Sequence, residues 1–323
     1  MAAQRTNQRS GNPARRAQVA GTAPAPATWR DWIAASRPRT LSMAIAPVAL
    51  GTAAAFNAEG YHLGIALACL ALALCMQIGV NYANDYADGV RGTDALRVGP
   101  GRLVGAGRAS ARAVRNVAIG FLAAGAVAGV VVVLLSQRWW LLLVGAVCIV
   151  AAWTYTGGKR PYGYLALGEL VSFLFFGPVA VVGTTYALIG RATDDAITLG
   201  IAMGCFSAAL MLTNNLRDID TDRAAGKRTV PTLIGRRASK ALYAVLMLVP
   251  FGILWVYSYA LAYGAVVLIV LLVAAPAIVI VALSRSARDL IIALGLTGLT
   301  ALLYGLGLAV AIWGGPAGFV PAP

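Results

Sequence analysis

Acidic residues are scarce in this sequence. Its 323 positions hold 12 Asp and Glu against 26 Lys and Arg, so only 12% of residues are charged and the formal net charge is +14. Histidine occurs once, as His62, with no metal-ligating neighbours. The four cysteines, Cys69, Cys75, Cys148 and Cys205, all lie in apolar runs, and no pair has C-x-x-C spacing. They read as small packing residues, not as a zinc site or a disulfide framework. Residues 1–28 have almost no large apolar side chains and lack the apolar run of a signal peptide, so they are expected to form a disordered cytoplasmic tail. Residues 29–323 then form one transmembrane domain. With so few acids, each one inside or beside an apolar run needs a reason.

What the chain has in excess is apolar residues. They make up 59% of it, and the mean hydropathy is +0.76. Long continuous apolar runs recur, which predicts an all-α polytopic membrane protein, a bundle of about nine transmembrane helices. The spans are expected near 41–57, 62–82, 112–135, 138–156, 164–189, 196–215, 240–260, 264–283 and 289–313. The segment "WRDWIAASRPRT" (29–40) has the aromatic and basic spacing of an interfacial entry. Assigned to loops between those spans, twenty-four of the 26 basic residues fall on one face, leaving only Arg138 and Arg191 on the other. The positive-inside rule makes the first face cytoplasmic, in the cell membrane, with the N-terminus and both acidic loops on it. The basic excess is thereby explained by topology and anionic lipid, and calls for no nucleic acid partner.

The scarce acids cluster twice. "NYANDYADGVRGTD" (81–94) places Asp85, Asp88 and Asp94 at the end of one apolar run, and "NNLRDIDTDRAAGKRT" (214–229) ends another. Asn84-Asp85-x-x-Asp88 recurs as Asn214-Asn215-x-x-Asp218, 130 positions on, and "GRASARA" (107–113) recurs as "GRRASKA" (235–241), 128 positions on. An internal repeat of a helix–loop–helix unit accounts for both. Within each cluster, spacings of three and four put the oxygens on one helix face. Carboxylates at membrane depth need cations or water. An oxygen-only set without His or Cys suits a hard cation, Mg²⁺ or Ca²⁺, shared with phosphate oxygens. The neighbouring Arg97, Arg102, Lys227 and Arg228 could hold further phosphate oxygens, so a diphosphate bridged between the clusters is the ligand that fits.

"NDYAD" and "DIDTD", with "DRAAGKRTVPTLIG" (222–235), resemble the UbiA superfamily of intramembrane aromatic prenyltransferases over about residues 37–313. The stretches "SRPRTL" (36–41), "GVRGTDALRVGPGRLV" (89–104) and "YTGGKRPYGYLALGE" (155–169) are similar to its menaquinone branch, the 1,4-dihydroxy-2-naphthoate polyprenyltransferases. The resemblance implies transfer of a polyprenyl group from polyprenyl diphosphate to that aromatic acceptor. CO₂ and diphosphate would be lost and demethylmenaquinone formed. It implies Mg²⁺ as cofactor, held by Asn84, Asp85 and Asp88 and by Asn215, Asp218 and Asp222, with the four aspartates as the catalytic set. Lys159 and Arg160 join the diphosphate candidates, and Tyr86 or Tyr155 would face the allylic cation. Glu169 is a candidate for assisting loss of the carboxylate. Two positions depart from the superfamily pattern: Gly92 stands where an acid is usual, and Asn215 where an Asp is usual, so the site carries less charge. The alternatives are a prenyltransferase for another acceptor (4-hydroxybenzoate, a haem or a chlorophyll precursor) and a secondary transporter, whose acids would lie at mid-span.

Overall fold

The computed structural model describes residues 25–92, 102–158 and 161–315. Residues 1–24, the core of the expected tail, lie outside the described residues. Ala27 and Thr28 belong to the fold: the Ala27 N–H donates to the Arg108 carbonyl, and Thr28 caps the first helix.

The described chain is helical throughout, with a single isolated parallel bridge between Leu165 and Arg228. Eleven helices follow in order: α1 (Trp29–Ala35), α2 (Ser42–Asn57), α3 (Leu63–Arg91), α4 (Ala111–Ser136), α5 (Leu141–Thr154), α6 (Gly168–Ile189), α7 (Asp194–Arg217), α8 (Ile219–Ala224), α9 (Val230–Ala260), α10 (Gly264–Leu283) and α11 (Ala287–Trp313). Their starts are set by capping side chains: Ser110 accepts the Ala113 N–H, Thr193 the Ala196 N–H and Ser286 the Asp289 N–H. Large apolar side chains such as Leu143, Val256, Leu272 and Leu283 stand exposed all round the bundle. A surface of that kind belongs in lipid, and the protein is integral to a membrane.

Nine apolar segments were expected. Among the described residues seven helices are long and apolar enough to cross a membrane alone, and α1 with α2 makes an eighth if the 46° bend between them is counted within one span. The ninth, α5, has 14 residues, which at 1.5 Å per residue gives about 21 Å, short of a full hydrocarbon core. Two boundaries move. The helix expected to end near residue 82 continues to Arg91, so the first acidic cluster lies in the last turns of α3 and not in the loop beyond. The helix expected from 240 starts at Val230 and kinks at Gly235, where φ is 80°.

Helix α7 is the centre of the bundle: 78% of its most apolar stretch is buried, against 44% or less in the other long spans. Its neighbour α6 reaches it closely because small residues line the crossing. A Cβ on Gly177 would lie 2.4 Å from the Gly200 carbonyl oxygen, and one on Gly204 would lie 2.7 Å from the Phe173 ring. A π turn over Phe175–Val179, containing Pro178, shapes α6 at this point. On the other side, Phe206 of α7 packs edge-on against Phe251 and Tyr304, with centroids 6.2 and 5.1 Å away.

The bend between α1 and α2 is fixed by polar contacts to α3. Asn81 donates to the Ser36 carbonyl at 2.7 Å, Gln77 to the Thr40 hydroxyl at 3.0 Å, and Tyr82 to the Trp32 carbonyl at 2.7 Å. Arg37, at the turn, is held in the left-handed region at φ 54°. Residues in that region persist when their surroundings over-determine them.

Candidate active site

The last turns of α3 and α7 face one cavity of about 660 Å³. Asn84, Asp85 and Asp88 line it from α3, and Asn214, Asn215 and Arg217 from α7. Arg102, Lys227, Tyr155 and Tyr164 close it, together with Arg37 and Arg39 from the bend. Its apolar wall is Leu210 and Met211 of α7 with Ile291 and Leu294 of α11. Along α7 the lining changes every turn or so, from Leu210 and Met211 through Asn214 to Arg217, as helical spacing requires.

Within the first cluster the acids have different partners. Both Asp85 oxygens accept backbone N–H groups, from Leu103 at 2.9 Å and Val104 at 3.1 Å, and the residue is 1% exposed. Asp85, expected among the metal ligands, binds the α3–α4 loop with its carboxylate and also lines the cavity. Asp88 lies 3.6 Å from the Arg102 guanidinium and 3.4 Å from the Tyr164 hydroxyl. The Asn84 amide oxygen accepts the Thr156 hydroxyl at 2.6 Å.

In the second cluster, Arg217 grips Asp218 with two parallel bonds of 2.7 Å, from Nε and Nη2. Asp218 is buried and the Arg217 side chain is only 9% exposed, so this is a largely desolvated bidentate pair. Asp222, in α8, lies 3.5 Å from the Lys227 ammonium. Lys227 also stacks over the Tyr164 ring at 5.6 Å, as does Arg91 from the other cluster. Asn215 donates from Nδ2 to Glu169 at 2.9 Å, and both are buried.

Other expected residues fall elsewhere. Arg228 has an exposed side chain; its contribution is backbone, pairing with Tyr164 and Ala166 to tie the α5–α6 and α8–α9 loops together. Tyr86 is turned away from the acids and lines a separate cavity of about 320 Å³ with Trp153 and Arg91. Tyr155 does line the main cavity, its hydroxyl meeting the Met211 sulfur at 3.3 Å. Beside it, burial pushes the Tyr162 phenol up to about 12, so it stays neutral and donates to the Ala151 carbonyl. Asp94, Arg97, Lys159 and Arg160 lie outside the described residues. Sequence reasoning missed Arg217, Arg37, Arg39 and Tyr164 as site residues. Arg217 was findable: it stands one turn beyond Asn214 on the same helix face and directly before Asp218.

Among the described residues no three His, Cys, Asp or Glu side chains gather into a ready-made cation cage. The donors that reach or border the cavity are amide and carboxylate oxygens spread over two helix ends. That set fits Mg²⁺, which takes a few protein oxygens and completes its shell with water and phosphate. It does not resemble a self-sufficient all-protein Ca²⁺ loop.

Known proteins resemble this chain in sequence and in fold. Over 286 residues the chain is 45% identical to 1,4-dihydroxy-2-naphthoate octaprenyltransferase of Mycobacterium tuberculosis, covering 88% of this chain and 98% of that protein. The Escherichia coli protein of the same name is 34% identical over 223 residues, 67% of this chain and 72% of its own length. Among solved structures, the fold matches the apo UbiA homologue of Aeropyrum pernix with a TM-score of 0.64 at 18% identity, covering 84% and 97% of the two chains. It also matches an Archaeoglobus fulgidus UbiA homologue bound to DMAPP and Mg²⁺, with a TM-score of 0.58 at 16% identity over 87% and 99%. Residues 44–290 match the UbiA prenyltransferase family, and the chain belongs to that family.

Proposed function

We propose that this protein transfers a polyprenyl group from a polyprenyl diphosphate to 1,4-dihydroxy-2-naphthoate, at the cytoplasmic face of the cell membrane, with loss of diphosphate and CO₂. The observation that carries the reading is the joint lining of one cavity by Asn84, Asp85 and Asp88 of α3 and Asn214 and Asn215 of α7, ringed by Arg102, Arg217 and Lys227. The names of the relatives at 45% and 34% identity supply the acceptor.

Asn84, Asp85 and Asp88 on one side, and Asn215, Asp218 and Asp222 on the other, would hold Mg²⁺. When bound, the metal supplies neutralising charge to the departing diphosphate. Arg102, Arg217 and Lys227 donate to diphosphate oxygens, and Arg97, Lys159 and Arg160 are further candidates from the neighbouring loops. The bond from the allylic carbon to diphosphate breaks, and its electron pair leaves with the phosphate. A ring carbon of the acceptor supplies the electrons of the new C–C bond. The acceptor carboxylate departs as CO₂. Leu210, Met211, Ile291 and Leu294 keep water from the allylic carbon, and the Tyr155 ring faces the developing positive charge.

The test is product formation by purified protein in detergent or nanodiscs. With Mg²⁺, a polyprenyl diphosphate and 1,4-dihydroxy-2-naphthoate, a prenylated, decarboxylated naphthalenediol should appear by mass spectrometry. Adding a chelator should abolish it, and Mg²⁺ should restore it. No product under any metal condition would reject the proposal.

A further inference from the structure

Asn215 lines the cavity, and a buried carboxylate stands behind it. The Asn215 Nδ2 donates to the Glu169 Oε1 at 2.9 Å. The amide therefore turns its NH₂ to Glu169. Its Oδ1 is thereby directed the other way. Among the described residues that oxygen accepts no hydrogen bond, and Asn215 lines the cavity. Glu169 does not line it and is 7% exposed.

We infer that Glu169 is a positioning residue. It fixes the Asn215 amide with its oxygen toward the cavity. The inference rests on the proposed metal-dependent function of this cavity.

The placement of Glu169 is built into the α6–α7 crossing. Three contacts run antiparallel along it: Glu169 to Asn215, Ser172 to Ser207 at 2.6 Å, and Gly177 against Gly200 and Gly204. Glycines at the deep end let the helices touch, and the two polar pairs fix rotation and register at the cavity end. The start of α6 is held as well. Ala166 sits at φ 59°, and its N–H donates to the Arg228 carbonyl at 2.9 Å. Gly168 leaves room for the Tyr155 hydroxyl, which a Cβ there would meet at 3.3 Å. Lys227, which lines the cavity, lies 3.5 Å from Asp222 at the same helix end.

A reciprocal exchange tests this. Mn²⁺ serves as the metal probe, its binding read by electron paramagnetic resonance on full-length protein. Thermal unfolding and turnover of naphthoate are read alongside. Glu169→Ala frees the amide to rotate and should weaken Mn²⁺ binding by about 10-fold or more, the usual effect of removing a partner that orients a ligand. Asn215→Asp sets two carboxylates face to face and should weaken it too. The double variant E169Q/N215D reverses donor and acceptor while keeping shape, and should recover most of the lost affinity. Full Mn²⁺ affinity in Glu169→Ala, even with a lowered unfolding temperature, would mark Glu169 as structural only and overturn the inference. So would a double variant no better than the singles. If wild-type protein binds Mn²⁺ but turns over no naphthoate, the proposed function fails while the Glu169 assignment stands on the binding data.

Discussion

Asp85 and Asp88 are one helical turn apart and have different partners. Both line the cavity, but Asp85 also holds two backbone N–H groups of the loop after α3, whereas Asp88 lies beside Arg102 and Tyr164. Their variants should separate. Asp88→Asn keeps size but removes charge, and turnover should fall by about 10²-fold, as for loss of one key electrostatic contact. Asp85→Ala leaves two buried N–H groups without acceptors, at about 1–3 kcal/mol each. It should loosen the loop, so that trypsin cuts after Arg102 or Arg108 sooner than in wild type. Faster cleavage in Asp88→Asn and not in Asp85→Ala would reverse these roles. The acid clusters themselves were plain in the sequence, because acids are rare here and repeat at an offset of 130. Which acid binds backbone was not, since the partners lie 18 and 19 residues away in a loop whose path no local pattern fixes.

At the scale of helices, hydrophobic runs gave the order of the apolar segments and only their approximate number. Their ends moved where polar residues continue a helix. Helix α3 runs on through Asn81, Asn84, Asp85 and Asp88 because their side chains find partners in the α1–α2 bend, the loop and Tyr164, so the polar stretch stays helical. A hydropathy reading stops at the first polar turn and cannot see those partners. The α6–α7 crossing was equally hidden, because glycine spacing shows a close approach without naming the helix approached. Gly177→Val would place a side chain against the Gly200 backbone. Overpacking of this kind costs about 1–3 kcal/mol. The unfolding temperature in detergent should drop by several degrees, and activity should fall with it as Glu169 and Asn215 separate. An unchanged unfolding temperature would contradict the packing described for this crossing.

For the whole molecule, a cavity with basic lining joins two helix ends to a lipid-embedded bundle, and we propose that it faces the cytoplasm. Orientation rests on the distribution of Lys and Arg. Single cysteines, placed in a background without the four native ones, check it in intact cells. Arg223→Cys should react only with membrane-permeant thiol reagents. Glu59→Cys and Asp194→Cys should react with impermeant ones, all three positions being exposed. External labelling at 223 would invert the topology and the route of soluble substrates.

The most direct test of the account is a competition between acceptors in one reaction. Purified protein, Mg²⁺ and a long polyprenyl diphosphate are given 1,4-dihydroxy-2-naphthoate and 4-hydroxybenzoate together, and both products are quantified. A bicyclic acceptor covers more of the apolar wall formed by Leu210, Met211, Ile291 and Leu294 than a single ring does. The account predicts preference for the naphthoate by at least about 100-fold in kcat/KM, roughly 2.7 kcal/mol of transition-state binding. Equal or better use of 4-hydroxybenzoate would contradict it.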